Sequence, residues 1–251
     1  MGQHIAETAT IGKNSVYGFN CIIMDNVHIG QNCFIGHNVV INKGSEIGDN
    51  VRIGDNTVIG KQPLSSPRSI FKFDSDLRPA MIGDQCQIGA SVIIYMQCEI
   101  GSNCLIADLA TIRENVRIGD LNIIGRNVAV ENYVTIGDRC KLETNCYITA
   151  YSKIEDYCFI APCVATSNDN YMGRDKERFK HFKGITMKRG SRIGINSTIL
   201  PGIIIQEDAM VAAGSLVTKD VPSREVWQGS PAKAIRKVPE KQLLKNNLDE
   251  K

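Results

Sequence analysis

The sequence of 251 residues has few aromatic side chains, four histidines and no long apolar run. Aromatics make up 6%, with a single tryptophan, which argues against a core built from large rings. No stretch approaches the roughly 18 apolar residues of a membrane span, so we expect no membrane insertion. A net charge of +2 gives no general reason to expect a nucleic-acid partner. Because the first residues also lack the basic and apolar regions of a secretory signal, we expect a cytoplasmic protein.

Isoleucine, by contrast, is abundant and recurs every six residues. With Ile5 at position one, the frame runs to Leu64, resumes from Ile82 to Ala165, and resumes again from Met187 to Pro222. Of the 30 first positions, 28 are Ile, Val or Leu, and Gly follows at position two in 14. Six residues suit a short strand and a corner, and stacked coils of three such segments would pair about 4.8 Å apart. The pattern predicts an all-β triangular prism of about ten coils.

The nine cysteines test this frame. Eight of them occupy position five of their hexad, the second inward site, and Cys163 at position four is the exception. An odd number of cysteines, no CxxC motif and no secretory signal argue against a disulfide framework or a metal cluster. We therefore interpret the thiols as small buried apolar groups and expect no metal.

Two stretches interrupt the hexads, at residues 65–81 and 166–186, and each is long enough to be a functional loop. We predict one β-helix domain over residues 1–222 that carries both excursions. The tail, residues 223–251, belongs to the same unit. It ends in a short helix that begins near Pro239 and covers the open edge of the last coil.

The hexads resemble the left-handed parallel β-helix of the hexapeptide-repeat acyltransferases. The segment AAGSLVTKDVP with GSPAKAIRKV is similar to the acyl-CoA-binding signature of that superfamily, and KLETNCYITAYSKIEDYCFIAPCVATSNDNY is similar to its nucleotide-linked amino-sugar N-acetyltransferase branch. The resemblance implies an acetyl-CoA co-substrate and a homotrimer with active sites between prisms. It marks two stretches as acceptor-site residues: the turn Glu143-Thr144-Asn145 and the run Ser167-Asn168-Asp169.

The hexad frame locates the acceptor site independently. If each excursion leaves and returns at one corner, the hexads that start at 94, 112, 130 and 148 stack in one column beneath the second excursion. Position two of this column carries Tyr95, Arg113, Glu131 and Thr149, where other corners commonly have Gly. Carboxylates can hold an amino sugar and accept its proton. Candidate catalytic residues are Glu131, Glu143, Asn168 and His181, and candidate substrate-binding residues are Asp108, Arg113, Glu114, Asn132, Asn145, Asp169 and Phe71. A solvated corner with internal salt bridges is the alternative interpretation of these polar residues.

Coenzyme A carries phosphates, so cations are expected beside it. The candidate residues are Lys219, Arg236 and Lys237, with Ala213 and Gly214 leaving room for the pantetheine arm. The predicted function is acetyl-CoA-dependent N-acetylation of a nucleotide-linked amino-dideoxy sugar, in particular a dTDP-sugar, for surface polysaccharides such as lipopolysaccharide or an S-layer glycan.

Alternatives from other classes remain open. They are O-acetylation of a sugar or serine hydroxyl, a zinc hydrase of the same fold, and a non-enzymatic scaffold. The hydrase needs three converging histidines, and no histidine lies between His37 and His181. A scaffold would favour unbroken faces, whereas this chain has two long polar excursions.

Overall fold

The computed structural model describes residues 4–67 and 77–248, and the chain divides into two compact units, residues 1–127 and 128–251. Within each unit, short strands pair in parallel with the strand 18 residues further along, as Ile94 does with Ile112 and Val130 with Ile148. Both units are parallel β-solenoids with very little helix. This confirms the predicted fold class, and the hexads are consistent with a left-handed coil.

The strands of the first unit follow one another at the spacing of the hexads. They are β1 (His4–Ile5), β2 (Thr10–Ile11), β3 (Val16–Tyr17), β4 (Ile22–Ile23), β5 (His28–Ile29), β6 (Phe34–Ile35), β7 (Val40–Ile41), β8 (Glu46–Ile47), β9 (Arg52–Ile53), β10 (Val58–Lys61), β11 (Met81–Ile82), β12 (Gln87–Ile88), β13 (Ile93–Tyr95), β14 (Glu99–Ile100), β15 (Leu105–Ile106), β16 (Thr111–Ile112), β17 (Arg117–Ile118) and β18 (Ile123–Ile124). In order along the unit, the first sheet is β1-β4-β7-β10-β13-β16, the second is β2-β5-β8-β11-β14-β17, and the third is β3-β6-β9-β12-β15-β18.

The second unit continues the same pattern and adds a hairpin. Its elements are β19 (Ala129–Val130), β20 (Thr135–Ile136), β21 (Lys141–Leu142), β22 (Tyr147–Ile148), β23 (Lys153–Ile154), β24 (Phe159–Ile160), β25 (Ala165–Thr166), α1 (Arg178–His181), β26 (Thr186–Met187), β27 (Arg192–Ile193), β28 (Thr198–Ile199), β29 (Ile204–Ile205), β30 (Met210–Val211), β31 (Leu216–Val217), β32 (Glu225–Gly229) and β33 (Ala232–Lys237). The first sheet is β19-β22-β25-β28-β31, the second is β20-β23-β26-β29, and the third is β21-β24-β27-β30-β32-β33.

The core is a set of stacked side chains from position one of the hexads. From Ile23 onward these side chains are at most 4% exposed. The cysteine prediction is confirmed for the eight thiols at position five, which are buried, whereas Cys163 is exposed. The Sγ atoms of the eight buried cysteines lie close to carbonyl oxygens of the next coil. For example, Cys21 Sγ lies 3.1 Å from the Gly36 carbonyl oxygen.

The corners use two residue types for different reasons. Left-handed backbone occurs mainly at position four, where Asn is common, as at Asn14 with φ 61°. Gly60 apart, the described glycines at position two do not have this conformation. They are small because the next coil lies directly against them: a Cβ on Gly30 would stand 2.4 Å from Asp49 Oδ1.

Both excursions leave the solenoid after a first-sheet strand and return to the second sheet. The first connects β10 to β11, and the second connects β25 to β26. Coil phase is kept across both, because β11 pairs with β8 and β26 pairs with β23. Thr166 remains in the frame as a buried first-position residue opposite Ile199, so the second excursion begins at Ser167.

The C-terminal segment differs from its prediction. The short helix consists of two 3-10 turns, Glu240–Gln242 and Leu244–Asn246. The edge of the third sheet is covered by β32, which pairs with β30, and by the antiparallel β33. Val226, Val238 and Leu243 pack together against Met210 and anchor this segment. Among the described residues, no helix has the length and apolar character of a membrane span.

Candidate active site

Two corners of the solenoid carry the predicted acceptor-site residues. The first corner is the turn from the first sheet to the second, and in the second unit it comprises residues 131–133, 149–151, 200–202 and 218–220. The third corner is the turn from the third sheet to the first, and in this unit it comprises residues 143–145, 161–163, 194–196 and 212–214. Glu131 and Asn132 lie at the first corner, whereas Glu143 and Asn145 lie at the third. A single chain therefore does not bring Glu131 and Glu143 together.

At the first corner of the second unit, Asn132 and Thr149 are buried and Glu131 is half-buried. The Glu131 N–H donates to the Ile148 carbonyl (2.9 Å), which places its half-buried side chain next to Thr149. Thr149 donates its N–H to Thr166 Oγ1 at 2.8 Å. Asn132 is 2% exposed, and within the described residues its Nδ2 has no hydrogen-bond partner. An unsatisfied buried amide is costly, so this corner has an unused donor in a desolvated position.

The second excursion is braced by its own side chains. The Asn168 carbonyl accepts the Lys183 N–H (3.2 Å) and closes the base of the loop. The Asp169 carboxylate accepts the N–H groups of Tyr171 (2.8 Å) and Gly173 (3.0 Å) and pairs with Arg178 at 3.3 Å. Asp169 therefore stabilises the shape of the loop. The half-buried Asn168 side chain lies at the point where the loop starts.

His181 ends α1 in the second excursion and is exposed. Its ring stacks on Tyr171 with 5.7 Å between centroids. Two other histidines contact the preceding coil of the first unit: His28 Nδ1 lies 2.6 Å from Thr10 Oγ1, and His37 Nδ1 accepts the Phe19 N–H at 2.9 Å. Over residues 4–67 and 77–248, no group of three or more His, Cys, Asp or Glu side chains is placed to hold a metal ion.

Asp108 and the Arg113–Glu114 pair lie in the first unit. Asp108 Oδ1 accepts the Ala90 N–H at 2.8 Å and caps the turn of the preceding coil. Glu114 is fully buried and accepts Arg113 Nε at 2.9 Å and Nη2 at 3.1 Å. The guanidinium carbon of Arg113 stands 5.0 Å from the centre of the Tyr95 ring. Phe71 lies outside the described residues.

The predicted coenzyme residues occupy two places in the second unit. Ala213 and Gly214 are exposed at the third corner, and a Cβ on Gly214 would meet nothing within 4 Å. The hairpin of β32 and β33 lies beside them, because the Gly229 N–H approaches Ser215 Oγ at 3.3 Å. Arg236 and Lys237 are on this hairpin, whereas the exposed Lys219 is at the first corner.

Lys237 already has a partner on the hairpin. Its Nζ lies 2.7 Å from Glu225 Oε1, and Trp227 Nε1 donates to the same carboxylate at 3.0 Å. Both bonds lower the pKa of the Glu225 carboxyl group, and the bond to Lys237 has the larger effect. Of the three cations, Arg236 and Lys219 are therefore the better candidates for a phosphate contact.

Tyr133 and Tyr151 were not among the predicted site residues. Their rings stack 5.4 Å apart at 5° at the first corner, and both residues have positive φ, where Asn is usual. Burial, and then the neighbouring Tyr133, raise the pKa of Tyr151. Tyrosine at position four of successive coils is the sequence signal that would have identified this pair, because a bulky residue is strained there.

Two families of known proteins match the sequence of the repeat. "Bacterial transferase hexapeptide (six repeats)" matches residues 4–43, 26–61 and 97–132, and "Hexapeptide repeat of succinyl-transferase" matches residues 79–107, 115–150 and 189–219. Together these matches cover more than half of the chain. The chain belongs to the hexapeptide-repeat transferase family.

Proteins similar to this hexapeptide-repeat transferase match it over different lengths. A 2,3,4,5-tetrahydropyridine-2,6-dicarboxylate N-acetyltransferase of Staphylococcus aureus is 45% identical over 56 residues, which are 22% of this chain and 23% of that protein. A mitochondrial gamma carbonic anhydrase 2 of Arabidopsis thaliana is 41% identical over 63 residues, 24% and 23% of the two chains. The chain thus spans less than a quarter of the length of these curated relatives.

A solved structure covers more of the chain. The UDP-N-acetylglucosamine acyltransferase LpxA from Bacteroides fragilis superposes with a TM-score of 0.57 at 21% identity, over 93% of this chain and 72% of that one. This similarity concerns the fold.

Proposed function

We propose that this hexapeptide-repeat transferase moves an acetyl group from acetyl-CoA to the amino group of a nucleotide-linked amino-dideoxy sugar, with dTDP-sugars as the expected class. The observation that carries the proposal is the first corner of the second unit. There Glu131 and the unpartnered amide of the buried Asn132 lie in the coils below the start of the second excursion. A carboxylate beside an unused buried donor suits a substrate that presents an amine and hydroxyl groups.

The reaction needs a neutral amine and a stabilised oxyanion. The amine nitrogen attacks the thioester carbonyl, an N–C bond forms, and the C–S bond breaks. Coenzyme A leaves as a thiolate that takes up a proton, while the amine loses one, and Glu131 is the candidate acceptor. Donors at the site, such as the Asn168 amide, would stabilise the charge that develops on the carbonyl oxygen. His181 is an alternative base, since it is an exposed titratable residue of the excursion.

The placement of the two carboxylates supports a homotrimer. Glu131 and Glu143 lie at opposite borders of the first sheet, so the third corner of one copy must approach the first corner of another to unite them. The first residues of the first-sheet strands support this packing, because none is Asp, Glu, Lys or Arg, and Lys61 at the end of β10 is the one charged residue in the described strands of this sheet. These first residues are His4, Ile22, Val40, Val58, Ile93, Thr111, Ala129, Tyr147, Ala165, Thr198 and Leu216. The second sheet instead presents Glu46, Glu99, Arg117 and Lys153.

The deciding experiment measures thiol release from acetyl-CoA with a panel of nucleotide-linked amino sugars and matched hydroxyl sugars. We expect release with an amino sugar. Alanine at Glu131, Glu143 or Asn168 should lower kcat/KM by about 10–1,000-fold, roughly 1.4–4 kcal/mol of transition-state stabilisation. Glu46→Ala, an exposed carboxylate on the second sheet, is the matched control and should change little. Release only with hydroxyl acceptors would favour O-acetylation, and three variants with native kcat/KM would place the acceptor site elsewhere.

A further inference from the structure

In the first unit, the strand that precedes the first excursion breaks the two-residue pattern. Strand β10 extends to Lys61, and its pairing with β13 shifts between Ile59 and Lys61. The extra residue is Gly60, which has φ +71°, and a Cβ there would stand 2.5 Å from Ser45 Oγ. A bulge of this kind re-aims the next side chain, and here it sets Lys61 opposite Tyr95.

Tyr95 is in contact with two cations. Lys61 Nζ lies 5.2 Å and the Arg113 guanidinium carbon 5.0 Å from the centre of its ring. Arg113 is held in place by the bidentate bonds to the fully buried Glu114. The bulge and the buried carboxylate therefore hold a lysine and an arginine from the coils on either side of Tyr95, where both cations can contact the negative charges of a diphosphate.

A cavity of about 370 Å³ is lined by Gly60, Gln62 and Met96, the chain neighbours of Lys61 and Tyr95, and by Lys43. Met24, Met96, Leu77 and Gly60 contribute to its apolar wall, and Asn42 and Gln62 add amides. Met96 also connects the cavity to the cations, because its N–H donates to the Lys61 carbonyl at 3.0 Å. The volume lies in the range of small-molecule sites, and methionines adapt to flat ligands. Amides at the wall can pair with the donors and acceptors of a heterocycle.

We infer that this part of the first unit is a nucleoside diphosphate site, with the base in the methionine-lined cavity and the diphosphate on Lys61 and Arg113. The inference rests on the proposed function, whose substrate carries such a group, and it adds the residues that hold it. An apolar cavity without charge beside it would equally suit an acyl chain. The paired cations favour a nucleotide.

The test is titration calorimetry of the full chain with dTDP, UDP, GDP and inorganic pyrophosphate. At least one nucleoside diphosphate should bind more tightly than pyrophosphate, because the base adds contacts. Lys61→Ala should weaken nucleotide and pyrophosphate binding alike, by about 10-fold for one charge-assisted contact. Met24→Trp, which fills the cavity from its exposed side, should weaken nucleotide binding while pyrophosphate binding is kept. Lys61→Arg should retain most of the affinity.

Arg52→Ala is the control, since Arg52 also stacks on an aromatic ring, Phe34 at 4.6 Å, on a third-sheet strand. It should leave nucleotide binding unchanged. Failure of every nucleoside diphosphate to bind, or binding that is insensitive to both Lys61→Ala and Met24→Trp, would overturn the site even if the chain acetylates a nucleotide-linked sugar. If binding responds to both variants but the chain acetylates no amino sugar, the site is supported and the proposed function is rejected.

Discussion

Aspartate at position three of the hexads stabilises the coils by accepting hydrogen bonds from the backbone. Asp49 Oδ1 accepts the Gln31 N–H at 2.8 Å, and in the same way Asp108 Oδ1 accepts the Ala90 N–H and Asp156 Oδ1 accepts the Asp138 N–H. The bond from Gln31 to Asp49 lowers the pKa of that carboxyl group. Each carboxylate thereby satisfies a backbone donor of the preceding coil. For Asp108 this bond offers an alternative to the predicted role in substrate binding.

The two roles of Asp108 can be separated by substitution. Asp108→Asn retains an oxygen that can accept the Ala90 N–H, so it should keep the thermal midpoint and the kcat/KM of the native chain. Asp108→Ala removes the acceptor and should destabilise the fold by about 1 kcal/mol. Thermal unfolding and steady-state kinetics of both variants provide the measurement. A loss of kcat/KM in Asp108→Asn at unchanged stability would assign the carboxylate to the substrate.

The cysteines allow a second prediction at the residue scale. Burial is the main cause that raises the pKa of Cys98 to about 12 and that of Cys146 to about 11. A raised thiol pKa leaves almost no thiolate at pH 8, and buried sulfur is also out of reach of reagents. Native protein should therefore react at one thiol, Cys163, and unfolded protein at nine. Cys163→Ser should abolish the native reaction; rapid labelling of further thiols would contradict the burial.

At the scale of elements, the two excursions and the hairpin depart most from the repeat. The second excursion is organised by the Asp169–Arg178 pair, and the Arg178 guanidinium lies 5.3 Å from Phe179 and 5.2 Å from Phe182. The hairpin is fixed to the last coils by backbone pairing and by the small cluster around Leu243. Both elements have an ordered frame on which polar side chains are displayed, which is what a binding site needs.

The hairpin carries the prediction for the coenzyme. Arg236→Ala should raise the KM for acetyl-CoA more than the KM for the sugar, because a lost charge-assisted phosphate contact costs about 1.5–3 kcal/mol. Lys219→Ala tests the same role from the first corner. Steady-state kinetics with each substrate varied in turn gives both constants, and Lys153→Ala on the second sheet is the control. An effect confined to the sugar would disprove the coenzyme assignment.

At the scale of the whole molecule, the three sheets differ in what they present outward. Charged side chains occupy several strand positions on the second and third sheets, whereas over the described strands of the first sheet Lys61, at the end of β10, is the only one. In the second unit the first sheet is therefore an uncharged face bordered by Glu131 on one side and Glu143 on the other, which suits contact with a second copy of the chain. The predicted active site would then be completed by a neighbour.

Charge placed on this face should prevent assembly. Native protein should sediment at about three times the chain mass of 27.6 kDa. Thr198→Glu on the first sheet should shift the protein toward the single-chain mass, because three buried carboxylates would lack partners. Thr135→Glu, an equally exposed threonine on the second sheet, should leave the trimer intact. Analytical ultracentrifugation distinguishes these outcomes, and a native protein that sediments as one chain would reject the assembly.

The repeat could be predicted from the sequence because it is local. A large apolar residue every six positions fixes which side chains turn inward, and it places eight thiols in the core whatever the coils pack against. The assumption that each excursion leaves and returns at one corner is confirmed by the pairing of β11 with β8 and of β26 with β23. The polar positions of the first corner, including Glu131, were identified with this assumption.

Features that depend on contacts between distant residues could not be predicted. The hairpin of β32 and β33 exists because an open sheet edge and the Leu243 cluster stabilise it, and neither is visible in a short segment. The bulge at Gly60 that sets Lys61 on Tyr95 arises from a register shift between strands separated by the first excursion. The sequence by itself determined the hexad frame and its inward side chains, whereas tertiary structure decided the C-terminal hairpin and the Gly60 bulge, because both depend on pairing between strands that are not neighbours in the hexad count.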